Sequence, residues 1–234
     1  FSIDGSLFLG SSNLNGRYWI GSIWYFNSAD DAPANDNSVT GHSCDSGVPT
    51  GKFLNSSQKV IVGEDTGTLT IYELTTYKNG DIYFVPEVYS AQHESSILSL
   101  SFSRTKNKII SAGTDKSINV WDVESLSAVN RYCEAHTRPI TSTAFCPEED
   151  GVTFISCSLD GYALMWDSRN AKPASVLSKN KSCGFTAVDW RNTNEIAIGS
   201  QSGDVMIMDV RARSQLMSFS PIDRPVHKIS FQDG

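Results

Sequence analysis

Serine, histidine and aspartate recur in this chain at a spacing that a hydrolase could use. His136 stands 24 residues before Asp160, with Ser156 between them. His93 stands 22 residues before Asp115, with Ser111 between them. A hydroxyl, an imidazole and a carboxylate in line can make an activated nucleophile. The repetition argues for a different use. A nucleophilic centre is needed once, whereas a set that returns with each structural unit reads as a hydrogen-bonded staple. A buried carboxylate must be paired to be tolerated, and the His and Ser would supply the partners. Other chemistry finds less support. None of the four His is placed with Cys or a carboxylate at metal-ligand spacing. The segment GSSNLNG (10–16) lacks the Lys of a phosphate loop, and no G-x-S-x-G elbow occurs. The expectation is no catalytic, cofactor or metal site.

The elements that must position these residues are repeats. SAGTDKSINVWDV (111–123) and SCSLDGYALMWDS (156–168) share one pattern, in which Asp115 and Asp160 each precede a Trp by six residues. Those residues, Trp121 and Trp166, are 45 positions apart. A period of that size ending in Trp-Asp is the signature of WD-type propeller blades. Weaker copies lie at 63–74, with Tyr72-Glu73 in place of Trp-Asp, and at 199–210, with Met208-Asp209 there. In them Thr66 and Ser202 replace the turn Asp, so these blades should lack the staple. Upstream, GRYWIGSIWYF (16–26) ends in an aromatic strand around Trp24. Five blade-like periods can thus be read. Short β-branched and aromatic runs broken by Gly, Asp and Asn predict antiparallel four-stranded sheets with almost no helix. The fold class is all-β, a WD-repeat propeller.

The totals set limits on partners and compartment. Net charge is −7 and the isoelectric point is near 5.0. Phosphate binding needs a basic face, so nucleic acid is not the expected ligand, whereas basic protein tails are compatible. No apolar run approaches the roughly 20 residues of a membrane span. Five Cys, an odd number with no C-x-x-C pair, fit a reducing cytosolic or nuclear compartment better than a disulfide framework. Asn55-Ser56-Ser57 matches a glycosylation sequon, but nothing else suggests secretion. The acidic clusters Asp30-Asp31 and Glu148-Glu149-Asp150 read as solvated turns.

The repeat is specific for fold and poor for function. More specific are DGSLFLGSSNLNGRYWIGSIWYF (4–26), FISCSLDGYALMWDSRNAKPAS (154–175) and CDSGVPT (44–50). These segments resemble the WD-repeat subunit family of the methylosome. The resemblance implies a seven-bladed propeller without catalysis of its own. It implies a hetero-octamer, four and four, with protein arginine methyltransferase 5, whose N-terminal domain the propeller binds. It also implies a part in presenting histones and Sm proteins for symmetric arginine dimethylation, in cytoplasm and nucleus. Carried over to this chain, the docking residues are Arg17 and Trp19 on the first-blade turn NGRYWIG (15–21). A Trp on a Gly-flanked turn is badly placed to reach its own core, and Trp and Arg are enriched at interface hot spots. Tyr18 alternates away from both and is expected in the core.

Seven blades need over roughly 300 residues. The chain opens inside the first blade and stops at RPVHKISFQDG (224–234), which reads as the first strand and turn of another blade. The expectation is one propeller domain over residues 1–234, incomplete at both ends, with about five blades covered. Two alternatives remain. WDSR (166–169) has the W-D-x-R pattern of substrate receptors of cullin-type ubiquitin ligases. A histone-binding chaperone propeller is the other.

Overall fold

The structure, a computed structural model, describes residues 2, 4–15, 18–103, 105–147, 152–220 and 223–231. For residues 15, 18 and 35 only the backbone is described. Among the described residues there are nineteen strands, no α-helix, and two 3-10 turns at Ala29–Asp31 and Asn35–Asn37. All strand pairing is antiparallel, between neighbours in sequence, as hairpin-connected meanders require. Two compact units divide the chain, 1–97 and 98–234.

The first unit holds two sheets. Strands β1 (Leu7–Asn15), β2 (Tyr18–Phe26) and β3 (Thr40–Cys44) form a sheet of three. This differs from the expected four-stranded blade: after β3 the chain leaves the sheet and crosses its face at 45–49. Glycine makes that crossing possible. A Cβ on Gly21 would lie 2.2 Å from the Ser46 carbonyl oxygen, and one on Gly10 would lie 2.7 Å from Val48. Strands β4 (Thr50–Phe53), β5 (Lys59–Gly63), β6 (Thr68–Thr76) and β7 (Ile82–Ala91) form a sheet of four. The core of this unit includes Ile23, Val48, Val60, Val62, Tyr72 and Phe84.

The second unit holds three sheets of four. They are β8 (Ile97–Ser103) to β11 (Ala128–Tyr132), β12 (Ile140–Phe145) to β15 (Ser175–Lys179), and β16 (Phe185–Trp190) to β19 (Ser214–Phe219). In each, the second and third strands are the central ones. These are β9 (Lys108–Gly113) and β10 (Ile118–Asp122), β13 (Thr153–Ser158) and β14 (Tyr162–Asp167), and β17 (Glu195–Ser200) and β18 (Val205–Asp209).

First strands join the sheets of this unit. The Phe145 backbone N–H donates to Ser101 Oγ at 3.0 Å, and Thr141 Oγ1 donates to the Phe185 carbonyl at 2.9 Å. Thr186 Oγ1 donates to the Val226 carbonyl at 2.6 Å. Val226 thereby takes toward the last sheet the place that Phe185 takes toward the one before. Residues 223–231 lie along that sheet without forming a regular strand of their own.

Candidate functional site

The central strands of the third and fourth sheets carry the Ser and Trp of the repeat. Register decides where. Trp121 pairs with Ile109 and Trp166 with Phe154, so Ser111 and Ser156 lie two residues further along on the same face. Trp121 Nε1 donates to Ser111 Oγ at 2.8 Å, and Trp166 Nε1 donates to Ser156 Oγ at 2.8 Å.

In the fourth sheet the chain of bonds runs on. His136 Nε2 lies 2.8 Å from Ser156 Oγ, and His136 Nδ1 lies 3.0 Å from Asp160 Oδ2. Asp160 also accepts the backbone N–H groups of Thr137 at 3.0 Å and Tyr162 at 2.9 Å. The network sets the proton positions. Trp166 gives to Ser156, Ser156 gives to Nε2, and Nδ1–H gives to Asp160. That order needs a neutral imidazole. Burial holds the His136 pKa below its ordinary 6.5, against the pull of the Asp160 charge. Burial alone would raise the Asp160 carboxyl, but the two backbone donors and His136 together hold it below the usual carboxylate value.

A serine, histidine and aspartate in this order have the outline of a hydrolytic triad. The chemistry available to them is different. Ser156 is fully buried, and its oxygen already accepts from the indole. Such a hydroxyl has no path to a substrate carbonyl. In the third sheet, Ser111 and Trp121 are fully buried, and Asp115 Oδ1 accepts the Ser117 backbone N–H at 3.0 Å; His93, between β7 and β8 in the first unit, is buried.

The weaker repeats show what sequence reasoning missed. In the second sheet Tyr72 pairs with Val60, so Val62 occupies the position of the staple serine. In the fifth, Met208 pairs with Ile196, so Ile198 occupies it. Asp, Ser and Trp are thus replaced together, and the interior becomes largely apolar. The signal was present in VIVG against IISAG, but it is readable only once the register is known. Thr66 now bonds Thr68 at 3.1 Å, and Ser202 bonds Asp204 at 2.5 Å. The second sheet keeps one buried carboxyl: Glu64 accepts from Ser46 Oγ at 3.0 Å, and burial raises its pKa.

The β1–β2 hairpin places Trp19. Strand β3 pairs with β2 only from Gly21 onward, and Gly21 faces Ser12 on β1, so the hairpin continues past the sheet for residues 13–20. At its end Trp19 lies directly across from Leu14. Trp19 is 56% exposed and Leu14 59%. Further down the same face, Val48 covers Gly10 and Gly21, and Ile23 is fully buried. The face carries Ser12 between Gly10 and Leu14, and it is covered by Val48 at its base and exposes Leu14 and Trp19 at its tip. Trp24 is half-buried, lies over Gly41, and donates from Nε1 to Ser22 Oγ at 2.8 Å. Arg17, the Tyr18 side chain and the acidic cluster at 148–150 lie outside the described residues. In the WDSR segment, Arg169 folds back on Asp167, with Nη2 to Oδ2 at 2.7 Å and Nε to Oδ1 at 3.0 Å.

Comparison with known proteins agrees with this geometry. The family described as WD domain, G-beta repeat matches residues 87–122 and 128–167. Methylosome protein WDR77 of Xenopus laevis is 29% identical over 211 residues, covering 89% of this chain and 62% of that protein. Protein valois of Drosophila melanogaster is 30% identical over 139 residues, covering 54% of this chain and 38% of that protein. The β-propeller domain of Cps50 (Swd1) from Myceliophteria thermophila superimposes with a TM-score of 0.66 at 17% identity, covering 77% of this chain and 58% of that one. The chain thus spans about three fifths of the first relative's length and less of the second. Sheet pattern, repeat and similarity together show an all-β WD40 propeller fold in a WD-repeat protein related to methylosome protein WDR77.

Proposed function

We propose that this chain is a non-catalytic scaffold subunit of a protein arginine methyltransferase complex. It holds the N-terminal domain of protein arginine methyltransferase 5 through the turn of the β1–β2 hairpin. It helps present basic substrates, histones and Sm proteins, for symmetric dimethylation in cytoplasm and nucleus. The assembly is four and four. The observation that carries the reading is the exposed Trp19–Leu14 pair at the end of a strand pair that outruns its sheet. A soluble surface seldom leaves a large indole and a leucine side by side in water without a partner for them. The similarity to methylosome protein WDR77 supports the choice of partner.

Co-purification from cells tests this. Wild-type chain should bring down arginine methyltransferase, and Trp19→Ala should lose most of it, about 2 kcal/mol or more of binding at a hot spot. Because Trp19 is more than half exposed, the variant should keep its melting temperature. A wild-type pull-down without methyltransferase defeats the function. Methyltransferase retained by Trp19→Ala defeats the site alone. Cullin adaptors in the pull-down, lost on Arg169→Ala, would favour the ligase reading instead.

A further inference from the structure

A second hairpin also outruns its sheet, and its tip holds a different chemistry. Strand β5 pairs with β6 only through residues 69–73, while β6 and β7 continue together to Thr76 and Ile82. Beyond the end of β5 stand Tyr83, paired with Thr75 and 47% exposed, and Tyr77, 53% exposed. Their ring centroids are 5.4 Å apart with the planes at 86°, so the rings form two perpendicular walls. The turn that carries them is rigid. Tyr77 N–H donates to the Asp81 carbonyl at 2.8 Å, Gly80 N–H to the Tyr77 carbonyl at 2.9 Å, and Asp81 N–H to Asn79 Oδ1 at 3.1 Å. Gly80 sits at φ +89°, a conformation that needs glycine.

Asp81 closes the corner. Its Oδ2 accepts from Asn79 Nδ2 at 2.6 Å and from the Tyr83 hydroxyl at 3.3 Å. Among the described residues nothing donates to its Oδ1. The nearby charge holds the Tyr83 phenol above its ordinary pKa. Lys78, between the two walls in sequence, forms no ion pair among the described residues. Two aromatic faces at right angles beside a carboxylate with a free oxygen suit a planar cation with directed N–H donors. A net charge of −7 favours the approach of such a cation on a basic chain.

We infer that the β6–β7 tip is a docking site for arginine side chains of basic polypeptide tails, with Tyr77 and Tyr83 as its walls and Asp81 as its acceptor. The site rests on the substrate-presenting part of the reading above, for which it names a surface, and it shares no residue with the β1–β2 turn. A lone cation–π corner binds weakly, so the site works on tails that offer several arginines in succession. The test uses a fluorescent Arg-Gly repeat peptide and the same peptide with citrulline for arginine. Anisotropy is read with the wild-type chain, with Tyr77→Ala/Tyr83→Ala and with Asp81→Asn. The wild type should prefer the arginine peptide, and the double substitution should weaken its binding by about ten-fold, with a smaller loss for Asp81→Asn. The exposed positions should leave the circular dichroism spectrum unchanged. Equal binding of both peptides, no binding by the wild type, or undiminished binding by the double variant would each overturn the inference.

Discussion

Ser156 sits between an indole that gives it a proton and an imidazole that takes one, and neither arrangement survives the loss of the third partner. His136→Ala removes a fully buried ring and takes the acceptor from the Ser156 hydroxyl and one donor from Asp160, at a cost of about 3 kcal/mol. Urea denaturation should show that loss as a lower midpoint. The pH dependence has a definite sign. The His136 pKa lies below 6.5 in the fold and at about 6.5 in the unfolded chain, so the unfolded state binds the proton more readily. The staple's contribution is complete above pH 6.5 and is lost as pH falls through the folded value. Wild-type stability should therefore drop between pH 7.5 and 5.5, and His136→Ala should show a smaller drop over the same interval. An identical slope in both would remove His136 as the titrating group. At this scale the sequence was informative where a residue type repeats. Ser111, Ser156, Trp121 and Trp166 were legible because they return at one period. The exposure of Trp19 was suggested by its Gly-flanked turn, whereas its spacing alone does not distinguish it from Trp24, which lies half-buried over Gly41.

Hairpins of unequal length make the surface features of this chain. The strands β1, β2, β6 and β7 run nine or ten residues, against four to seven in the other described strands. Whatever stands beyond the neighbouring strand is exposed by construction, and both aromatic tips, around Trp19 and around Tyr77, arise in this way. Alternation along a strand can be read from sequence, but strand overhang cannot, because it depends on where the neighbour stops. The crossing segment 45–49 was likewise hidden, since its fit depends on close approach to Gly10 and Gly21. Gly21→Ala would drive a methyl group into the Ser46 carbonyl, 2.2 Å away. The strand or the crossing must then shift, for a loss of about 1–3 kcal/mol. Thermal denaturation should show it, while Gly80→Ala, with open space around it but a positive φ, should cost less, about 1 kcal/mol. A harmless Gly21→Ala would mean that the crossing is loosely held.

Across the whole molecule, burial is layered by strand position. The second strands β9, β13 and β17 are buried almost throughout, whereas every residue of β19 is exposed, Leu216, Met217 and Phe219 included. Hydrogen exchange should follow that order, slowest in β9, β13 and β17 and fastest in β19. Comparable rates in β17 and β19 would contradict it. The architecture at this scale was the most legible, because a 45-residue period dictates sheets of one kind. The blade interiors were less so, because their residues are exchanged in sets. Two blade interiors exist here, one with the Trp-Ser chain and one with Tyr72 and Val62 or Met208 and Ile198 in those places. Each is self-consistent, and Ser156→Val alone would leave the Trp166 and His136 ring nitrogens without their shared partner. A stepwise exchange through that variant passes through a less stable interior, by about 1–3 kcal/mol. Trp, Ser and His of such a blade thus behave as one unit of the sequence, exchanged at least cost together.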